Sequence, residues 1–313
     1  MKNLPVHSNT FLEILNDFQN DLVTRNKSES LVYNMPTHLR EFFNYLEAKG
    51  HENLNHVTTK IVTKYYEYLS TRKNQTRGGA LSNGSLNKHQ EALKLFLKYL
   101  KNNNFKMTFG VHLKTEKTNT ITEKDILTQD EVLELFEATN YSHVSKRFRL
   151  RDKAILAVLY SCGLRRNEAV ELNLSDVDFD NKQIYIRNGS RNKKRKNPYV
   201  PINDYNLNLI EDYIINSRPQ FHNSHLCEAL FVNKNGNRML GKSFADRLTA
   251  IVKATENETI IDKDISLHNL RHSVATHLLQ NGLPIEKVSE FLGHNSLEST
   301  QIYTHFIDLD DDE

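Results

Sequence analysis

Apolar residues recur every three or four positions in four segments of the first 110 residues, which is the spacing of one buried helix face. The segments run from Phe11 to Leu22, Leu39 to Leu46, Ile61 to Leu69 and Leu93 to Leu100. Gly50 is typical of the end of the second helix, whereas Thr58 or Thr59 and Ser85 lie near the starts of the third and fourth. The pattern predicts a small four-helix bundle.

Residues 113–125, LKTEKTNTITEKD, have almost no apolar periodicity and are rich in Thr, Lys and Glu, which is typical of a linker. A second domain follows, because Thr128 with Glu131 three positions later forms the capping box of a helix start. The helical pattern then continues through RDKAILAVLYSCGLRRNEAVEL, residues 151–172. We therefore divide the chain into a helical domain 1–112, a linker 113–125 and a second domain 126–313.

A change of period within the second domain predicts a small antiparallel sheet. The stretches QIYIR (183–187) and PYVPI (198–202) have the composition of short strands, and Asn235-Gly236 within LFVNKNGNRML is a strong hairpin-turn signal. After residue 266 the pattern is helical again, with Gly282 and Gly293 at helix ends. The predicted fold is mainly α, with a mostly helical second domain around this sheet.

Composition adds few constraints to this picture. The chain of 313 residues is long enough for two domains, no apolar run approaches the roughly 18 residues of a membrane span, and MKNLPVHSNT lacks the apolar stretch of a signal peptide. Its two cysteines, Cys162 and Cys227, are too few for a disulfide framework, as in a reducing compartment. We expect a cytoplasmic protein.

Charge is distributed unevenly, although the net charge is only +2. Residues 1–112 carry 15 Lys and Arg against 9 Asp and Glu, and five acids lie in the terminal DLDDDE. The densest basic block is RNGSRNKKRK at 187–196, with six basic residues and no acid. Such a block fits either a solvated loop or a contact with a phosphate backbone.

Three stretches carry polar residues at positions that suggest chemistry when they are taken together: GLRRNEAVEL (163–172), SLHNLRHSVATHLL (266–279) and GHNSLESTQIYTH (293–305). Each alone has an ordinary explanation, as a helix surface pair, a buried arginine with an anionic partner, or a packed aromatic ring.

Metal chemistry finds little support in these stretches. His268 and His272 have the i, i+4 spacing of helical zinc ligands, but Asn269 stands where an HExxH motif has glutamate, and no third ligand is evident. We predict no metal and no other cofactor.

Two arginines, two histidines, a lysine-rich hairpin and a tyrosine are, however, the groups needed to cut a phosphodiester without metal. Arginine forks bind the two non-bridging oxygens and stabilise the charge that grows in the transition state. A tyrosine can form a covalent phosphotyrosine, a histidine can take its proton, and a lysine can protonate the departing oxygen.

The order and spacing of these groups resemble the tyrosine recombinases, or phage integrase family, and are most similar to its short Xer-like and simple integrase members. YSCGLRRNEAVEL matches the first arginine box, HNLRH the His-x-x-Arg box, LGH the second-histidine box and STQIYTH the tyrosine box. The resemblance covers the second domain in full, and the N-terminal helices are similar to the family's core-binding, SAM-like domain.

The resemblance implies a site-specific recombinase that cleaves and rejoins DNA strands through a 3′-phosphotyrosine, without metal or ATP. It implies the following roles: Tyr303 as nucleophile, Arg165 and Arg271 as the phosphate clamp, His268 as acid/base, His294 as a hydrogen-bond donor to the phosphate, and Glu168 as support for the first arginine box.

The hairpin lysine is where this sequence departs from the family pattern. In GSRNKKRKNPYVP, alignment from the glycine puts Ser190 at the lysine position, whereas alignment back from YVP selects Lys193. We predict Lys193 as the acid, with Lys194 and Lys196 as alternatives. The hairpin would also supply these DNA contacts: Arg187, Arg191, Lys194, Arg195 and Lys196.

The resemblance further implies a double-stranded DNA recombination site as substrate, a homo-tetramer on synapsed DNA, a partner recombinase or DNA-bending accessory protein, and no membrane. Two other functions compete. A type IB topoisomerase has a similar site but relaxes supercoils as a monomer, and QNGLPIEKVSEFLGHNS has the pattern of a helix-turn-helix in a regulator that never cuts.

Overall fold

The computed structural model describes residues 4–74, 78–106, 108–117, 121–187, 195, 197–294 and 296–304. The chain divides into two compact units, Met1–Asn119 and Thr120–Glu313. Both are mainly helical, and the second contains a small antiparallel sheet. The predicted fold class is confirmed.

The first unit is the predicted four-helix bundle, with helices α1 (Asn9–Thr24), α2 (Glu29–Ala48), α3 (Thr59–Thr71) and α4 (Asn83–Asn102). Helix α2 packs against both α1 and α4. The apolar stripes form its core, in which the Phe11 and Phe43 rings stack with their centroids 4.4 Å apart. Helix α3 begins after Thr58, as the sequence predicts.

A polar network lies inside this bundle. The Arg72 Nη2 atom donates to Glu41 Oε2 at 2.9 Å, and the side chains of both residues are less than a tenth exposed. His89 Nδ1 lies 3.2 Å from Tyr65 Oη, and its ring meets that of His38 edge-on at 4.4 Å between centroids. Burial, followed by the nearby charges of His38 and Arg72, lowers the pKa of His89 to about 2.

The second unit contains nine helices among its described residues: α5 (Gln129–Ala138), α6 (Lys146–Leu156), α7 (Arg166–Glu171), α8 (Asp204–Asp212), α9 (Gly241–Ala254), α10 (Glu258–Ile261), α11 (Leu267–Gln280), α12 (Ile285–Leu292) and α13 (Glu298–Gln301). Both hydrogen bonds of the predicted capping box at Thr128 and Glu131 are present. Helix α11 packs against α12 and against the π-helical segment Ala157–Ser161 that follows α6, so it lies between the segment that leads to Arg165 and the one that leads to His294.

The sheet has three strands, β1 (Val177–Asp178), β2 (Gln183–Tyr185) and β3 (Tyr199–Pro201), in the order β1-β2-β3. Antiparallel pairing places Ile184 opposite both Val177 and Val200, and all three side chains are buried. One face of the sheet is therefore part of the core of the second unit.

Two local predictions differ from the structure. The pattern in 151–172 predicts continuous helix, but α6 passes into a π-helical segment at Ala157–Ser161 and the chain then breaks at Gly163, whose φ is +55°. The stretch around Asn235-Gly236 does turn, with φ of +81° at Gly236, but only the Val232 and Arg238 bridge pairs across it. Neither side of that turn is a regular strand.

Among the described residues, none of the helices has the length and apolar character that crossing a bilayer requires.

Candidate active site

Arg165 lies immediately before α7, after the break at Gly163. Its backbone N–H donates to Glu168 Oε2 at 2.8 Å, and its Nη1 atom donates to Oε1 of the same carboxylate at 2.9 Å. The interaction that the sequence predicts therefore forms, but at a helix cap and not along a helix face. The Nη2 atom also donates to the carbonyl of Gly293 at 3.2 Å, and 40% of the Arg165 side chain stays exposed.

Arg271 lies on α11 and is almost fully buried. Its Nη1 atom donates to the carbonyl of Gly163, and its Nη2 atom donates to the carbonyl of Leu292 at 2.5 Å. Burial and the like charge of Arg165 lower the pKa of Arg271 to about 9, which still leaves a cation at neutral pH. Arg271 thus connects the break before α7 with the end of α12.

Arg195 is a third arginine near Glu168 and the end of α12, although the sequence predicts only a DNA contact for it. It is buried, its guanidinium donates to the carbonyl of Phe291, and its Nη1 atom lies 3.7 Å from Glu168 Oε2. Gly293 faces its aliphatic stem so closely that a β-carbon at this position would clash. Arg195 therefore supports the end of α12, through its hydrogen bond to Phe291 and its packing against Gly293.

Three guanidiniums thus converge on one carboxylate, since Arg271 Nη1 also lies 3.9 Å from Glu168 Oε2. Positive charge predominates in this part of the described structure. Such an arrangement, with one guanidinium still partly exposed, suits the binding of an anion with more than one oxygen.

His294 follows Gly293, which ends α12 in the left-handed conformation at φ of +64°. The His294 Nδ1 atom lies 2.7 Å from Thr300 Oγ1. Burial, followed by the charges of Arg271, Arg165 and Arg195, lowers the pKa of His294 to about 3, so its ring is neutral at pH 7. A neutral ring with Nδ1 engaged by Thr300 leaves Nε2 as its second hydrogen-bonding group.

Tyr303 lies in the turn just after α13. Its ring packs in an apolar cluster with Val274 and Leu292 and is only 2% exposed. Its hydroxyl lies 2.7 Å from Nδ1 of His272. Burial raises the pKa of Tyr303, while the charges of Arg271 and Arg165 act in the opposite direction.

His268 lies in the first turn of α11 and is exposed. Its ring centroid is 6.4 Å from that of His272, one helical turn along. Burial of part of the ring, and then the charges of Arg271, Arg166 and Arg165, lower the pKa of His268. The structure therefore brings Arg165, Arg271, His294 and Tyr303 together at the end of α12, with His268 at the edge.

The basic hairpin is only partly described. Arg187 donates from Nε to both carboxylate oxygens of Asp176, at 3.0 and 2.7 Å, and keeps 45% of its side chain exposed. The remaining candidates of this hairpin lie outside the described residues: Arg191, Lys193, Lys194 and Lys196. The choice among the lysines stays a prediction.

The sequence missed the contact between His272 and Tyr303. His272 is visible in the sequence only as the second histidine of an i, i+4 pair, and 31 positions separate it from Tyr303. The signal that could have found it is the position of His272 on the same helix as Arg271. Within the described part of the chain, no group of three potential metal ligands is present.

Comparison with known proteins gives the family of this chain. The phage integrase family model matches residues 125–308. The tyrosine recombinase XerC of Natranaerobius thermophilus is 32% identical over 87% of this chain and 94% of its own length. The tyrosine recombinase XerD of Bifidobacterium longum is 31% identical over 90% of this chain and 89% of its own length.

A solved structure shares the fold across both units of the chain. It is the XerH site-specific recombinase bound to a palindromic difH substrate in a post-cleavage complex, with a TM-score of 0.71 and 20% identity over 98% of this chain and 88% of that one.

This chain belongs to the phage integrase family. Within that family it is a tyrosine recombinase, and the resemblance found in the sequence is confirmed. The comparisons favour this function over a topoisomerase and over a regulator that does not cut DNA.

Proposed function

We propose that this protein cuts and rejoins double-stranded DNA at a specific recombination site, with Tyr303 forming a covalent link to the 3′ phosphate. The observation that carries the proposal is the meeting of two arginines, a histidine and this tyrosine at the end of α12. Arg165 donates to the carbonyl of Gly293 at 3.2 Å, and Arg271 donates to that of Leu292 at 2.5 Å. The residue after Gly293, His294, has its ring 6.5 Å from that of Tyr303 between centroids. A phosphodiester bound by the two arginines would lie next to the nucleophile.

The reaction has two steps, and in each step one bond to phosphorus forms and one breaks. Tyr303 Oη forms a bond to phosphorus, the bond from phosphorus to the 5′ oxygen breaks, and that oxygen leaves with a proton. In the second step the 5′ hydroxyl of another strand attacks the phosphotyrosine and releases Tyr303. Because one phosphodiester is exchanged for another of similar energy, the cycle needs no ATP, and the two arginines would supply the charge stabilisation that a metal gives in other enzymes.

The other site residues serve this exchange. Arg165 and Arg271 bind the non-bridging oxygens and stabilise the growing negative charge. His294 would donate to the phosphate through Nε2, because Nδ1 faces Thr300. His268, exposed at the edge of the site, would exchange protons on the DNA side, and Glu168 keeps Arg165 in place. A hairpin lysine, Lys193 or its neighbours Lys194 and Lys196, would protonate the leaving oxygen.

The assembly follows from the number of strands. Exchange between two duplexes cuts four strands, and each protomer has one Tyr303 for one strand, so we propose a homo-tetramer on two synapsed sites. The XerH structure, bound to its difH substrate, supports double-stranded DNA as the partner. A second recombinase or a DNA-bending protein would join this assembly where the site is asymmetric.

Plasmid substrates test the proposal directly. Duplexes that bind the protein are first selected from a random pool, and a plasmid then receives two copies of the selected sequence. We expect deletion or inversion between the copies. Relaxation of a plasmid without the site, with no exchange, would indicate a topoisomerase, and binding without any cleavage would indicate a regulator.

A further inference from the structure

The nucleophile needs a group that takes its proton, and the structure places one against it. His272 Nδ1 lies 2.7 Å from Tyr303 Oη, within hydrogen-bond distance. The two rings are tilted by 46°, with their centroids 5.5 Å apart. His268, the histidine that family resemblance implies as acid/base, is exposed one helical turn away.

We propose that His272 holds the Tyr303 hydroxyl before DNA cleavage and accepts its proton during attack on the phosphate. This inference rests on the proposed function, because it concerns the proton that Tyr303 must lose. The O–H of Tyr303 donates to Nδ1, and Nε2 carries the hydrogen of the neutral ring. As the bond from Oη to phosphorus forms, the proton passes to Nδ1, and it returns when the 5′ hydroxyl displaces Tyr303.

The surroundings of His272 keep it in the form that can accept. His268 and Arg271 flank it on α11, Asp125 faces it from the turn before α5, and Tyr303 and His294 face it from the C-terminal segment. Burial and the charges of His268 and Arg271 lower the pKa of His272 to about 4, and Asp125 opposes them. The ring is therefore neutral at pH 7, as an acceptor must be.

The N-terminal segment of the second unit fixes the part of α11 that carries His272. Asn269, one turn before Ser273, donates from Nδ2 to the backbone carbonyl of Asp125 at 2.9 Å and to its carboxylate at 3.3 Å. Ser273, the neighbour of His272, receives the N–H of Leu127 at 2.8 Å. These contacts fix the first turns of α11 on both sides of His272.

The same helix offers a matched control. His277 Nδ1 lies 2.8 Å from Tyr160 Oη, so the pair has the same two residue types and nearly the same distance. Tyr160 and His277 lie outside the arginine cluster. Replacement of either histidine by glutamine removes the imidazole base but keeps a hydrogen-bonding side chain.

The test is the pH dependence of single-turnover adduct formation on a nicked duplex of the selected sequence. The wild-type rate should be nearly flat from pH 6 to 8, because His272 stays neutral there. His272→Gln should be slower by roughly 10²–10⁴-fold at pH 7. Its rate should rise about tenfold per pH unit, because attack then depends on the fraction of free tyrosinate. His277→Gln should keep the flat profile.

A second arm separates proton transfer from damage to the phosphate site. In Tyr303→Phe, the hydroperoxide anion, supplied at alkaline pH as an external nucleophile that needs no base, should cleave the bound phosphodiester, and adding His272→Gln should leave that cleavage unchanged. A matching fall in the double variant would overturn the proposal, as would a wild-type rate and profile in His272→Gln. The role would move to His268 if the rate of His268→Gln rose tenfold per pH unit while the rate of His272→Gln did not change with pH. An adduct that persists in Tyr303→Phe would overturn the proposed nucleophile together with this inference.

Discussion

Arg271 donates a hydrogen bond to the carbonyl oxygen of Gly163, although 108 positions separate the two residues. The same guanidinium donates to the carbonyl of Leu292, so one side chain joins the break before α7 to the end of α12. Arg165, by contrast, keeps 40% of its side chain exposed. The two arginines of the proposed clamp therefore differ in how much of the fold depends on them.

Alanine substitutions should reveal this difference. Arg165→Ala and Arg271→Ala should each slow cleavage by roughly 10²–10³-fold or more, because each removes stabilisation of the transition state. DNA affinity should change less, since it draws on many phosphate contacts. Arg271→Ala should also lower the free energy of unfolding more than Arg165→Ala does, by about 1–3 kcal/mol for each carbonyl left without a donor, because buried Arg271 donates to two carbonyls and partly exposed Arg165 to one. Urea denaturation and adduct assays measure both effects, and cleavage at the wild-type rate in either variant would refute the clamp.

Gly293 should tolerate alanine far less than Gly282. Both have positive φ, +64° and +79°, so alanine costs about 1–2 kcal/mol at each from the backbone alone. Open space surrounds Gly282, whereas a β-carbon at Gly293 would strike the buried stem of Arg195. Gly293→Ala should therefore lose more stability and also slow cleavage, whereas Gly282→Ala should cleave normally. Equal losses would mean that Arg195 does not brace the site.

A substrate with sulfur in place of the 5′ bridging oxygen identifies the hairpin acid. A thiolate leaves without a proton, so the loss caused by removing the acid should disappear on this substrate. We expect Lys193→Ala to cleave the normal duplex slowly and to cleave the sulfur-containing duplex at the wild-type rate. Rescue of Lys194→Ala or Lys196→Ala in its place would reassign the role, and rescue of none would exclude all three.

The buried His89 should make this protein less stable in acid. At pH values above 6.5, the ring is neutral in both the folded and the unfolded chain. Below 6.5 the unfolded chain takes up a proton that the folded chain, with a His89 pKa of about 2, does not. As the pH is lowered below 6.5, this residue should therefore decrease the free energy of unfolding by about 1.4 kcal/mol for each pH unit.

Denaturation between pH 7 and pH 5 checks this slope. His89→Gln should reduce the slope, and only in part because the pKa values of His272 and His294 are lowered as well; substitution of the exposed His56 by glutamine serves as the control. An unchanged slope in His89→Gln would show that other groups cause the acid sensitivity.

The sequence predicted best what depends on neighbours along the chain. The four N-terminal helices and the Thr128 cap follow from periodicity and local hydrogen bonds, which act within a few residues. The sequence does not predict the break at Gly163, because apolar residues continue on both sides of it and a single glycine does not exclude a helix. What fixes the break is distant, namely the donation from Arg271 to its carbonyl.

The site shows the same limit. Motif order and family resemblance selected Arg165, Arg271, His294 and Tyr303, which do lie together. Spacing could not show that Arg195 turns inward to the end of α12, or that His272 meets Tyr303. Both contacts arise from packing between segments far apart in the chain, and a periodic pattern carries no information on such pairs.

The central claim, that Tyr303 forms the covalent link to DNA, is tested most directly by mapping the adduct. A nicked duplex of the selected sequence loses the strand beyond the cut and traps the intermediate. Trypsin cleavage after Lys287 releases residues 288–313, a peptide in which Tyr303 is the only tyrosine. We expect mass spectrometry to find the nucleotide remnant on this peptide at Tyr303, and no adduct in Tyr303→Phe. A remnant on any other residue, or an adduct formed by Tyr303→Phe, would contradict the account.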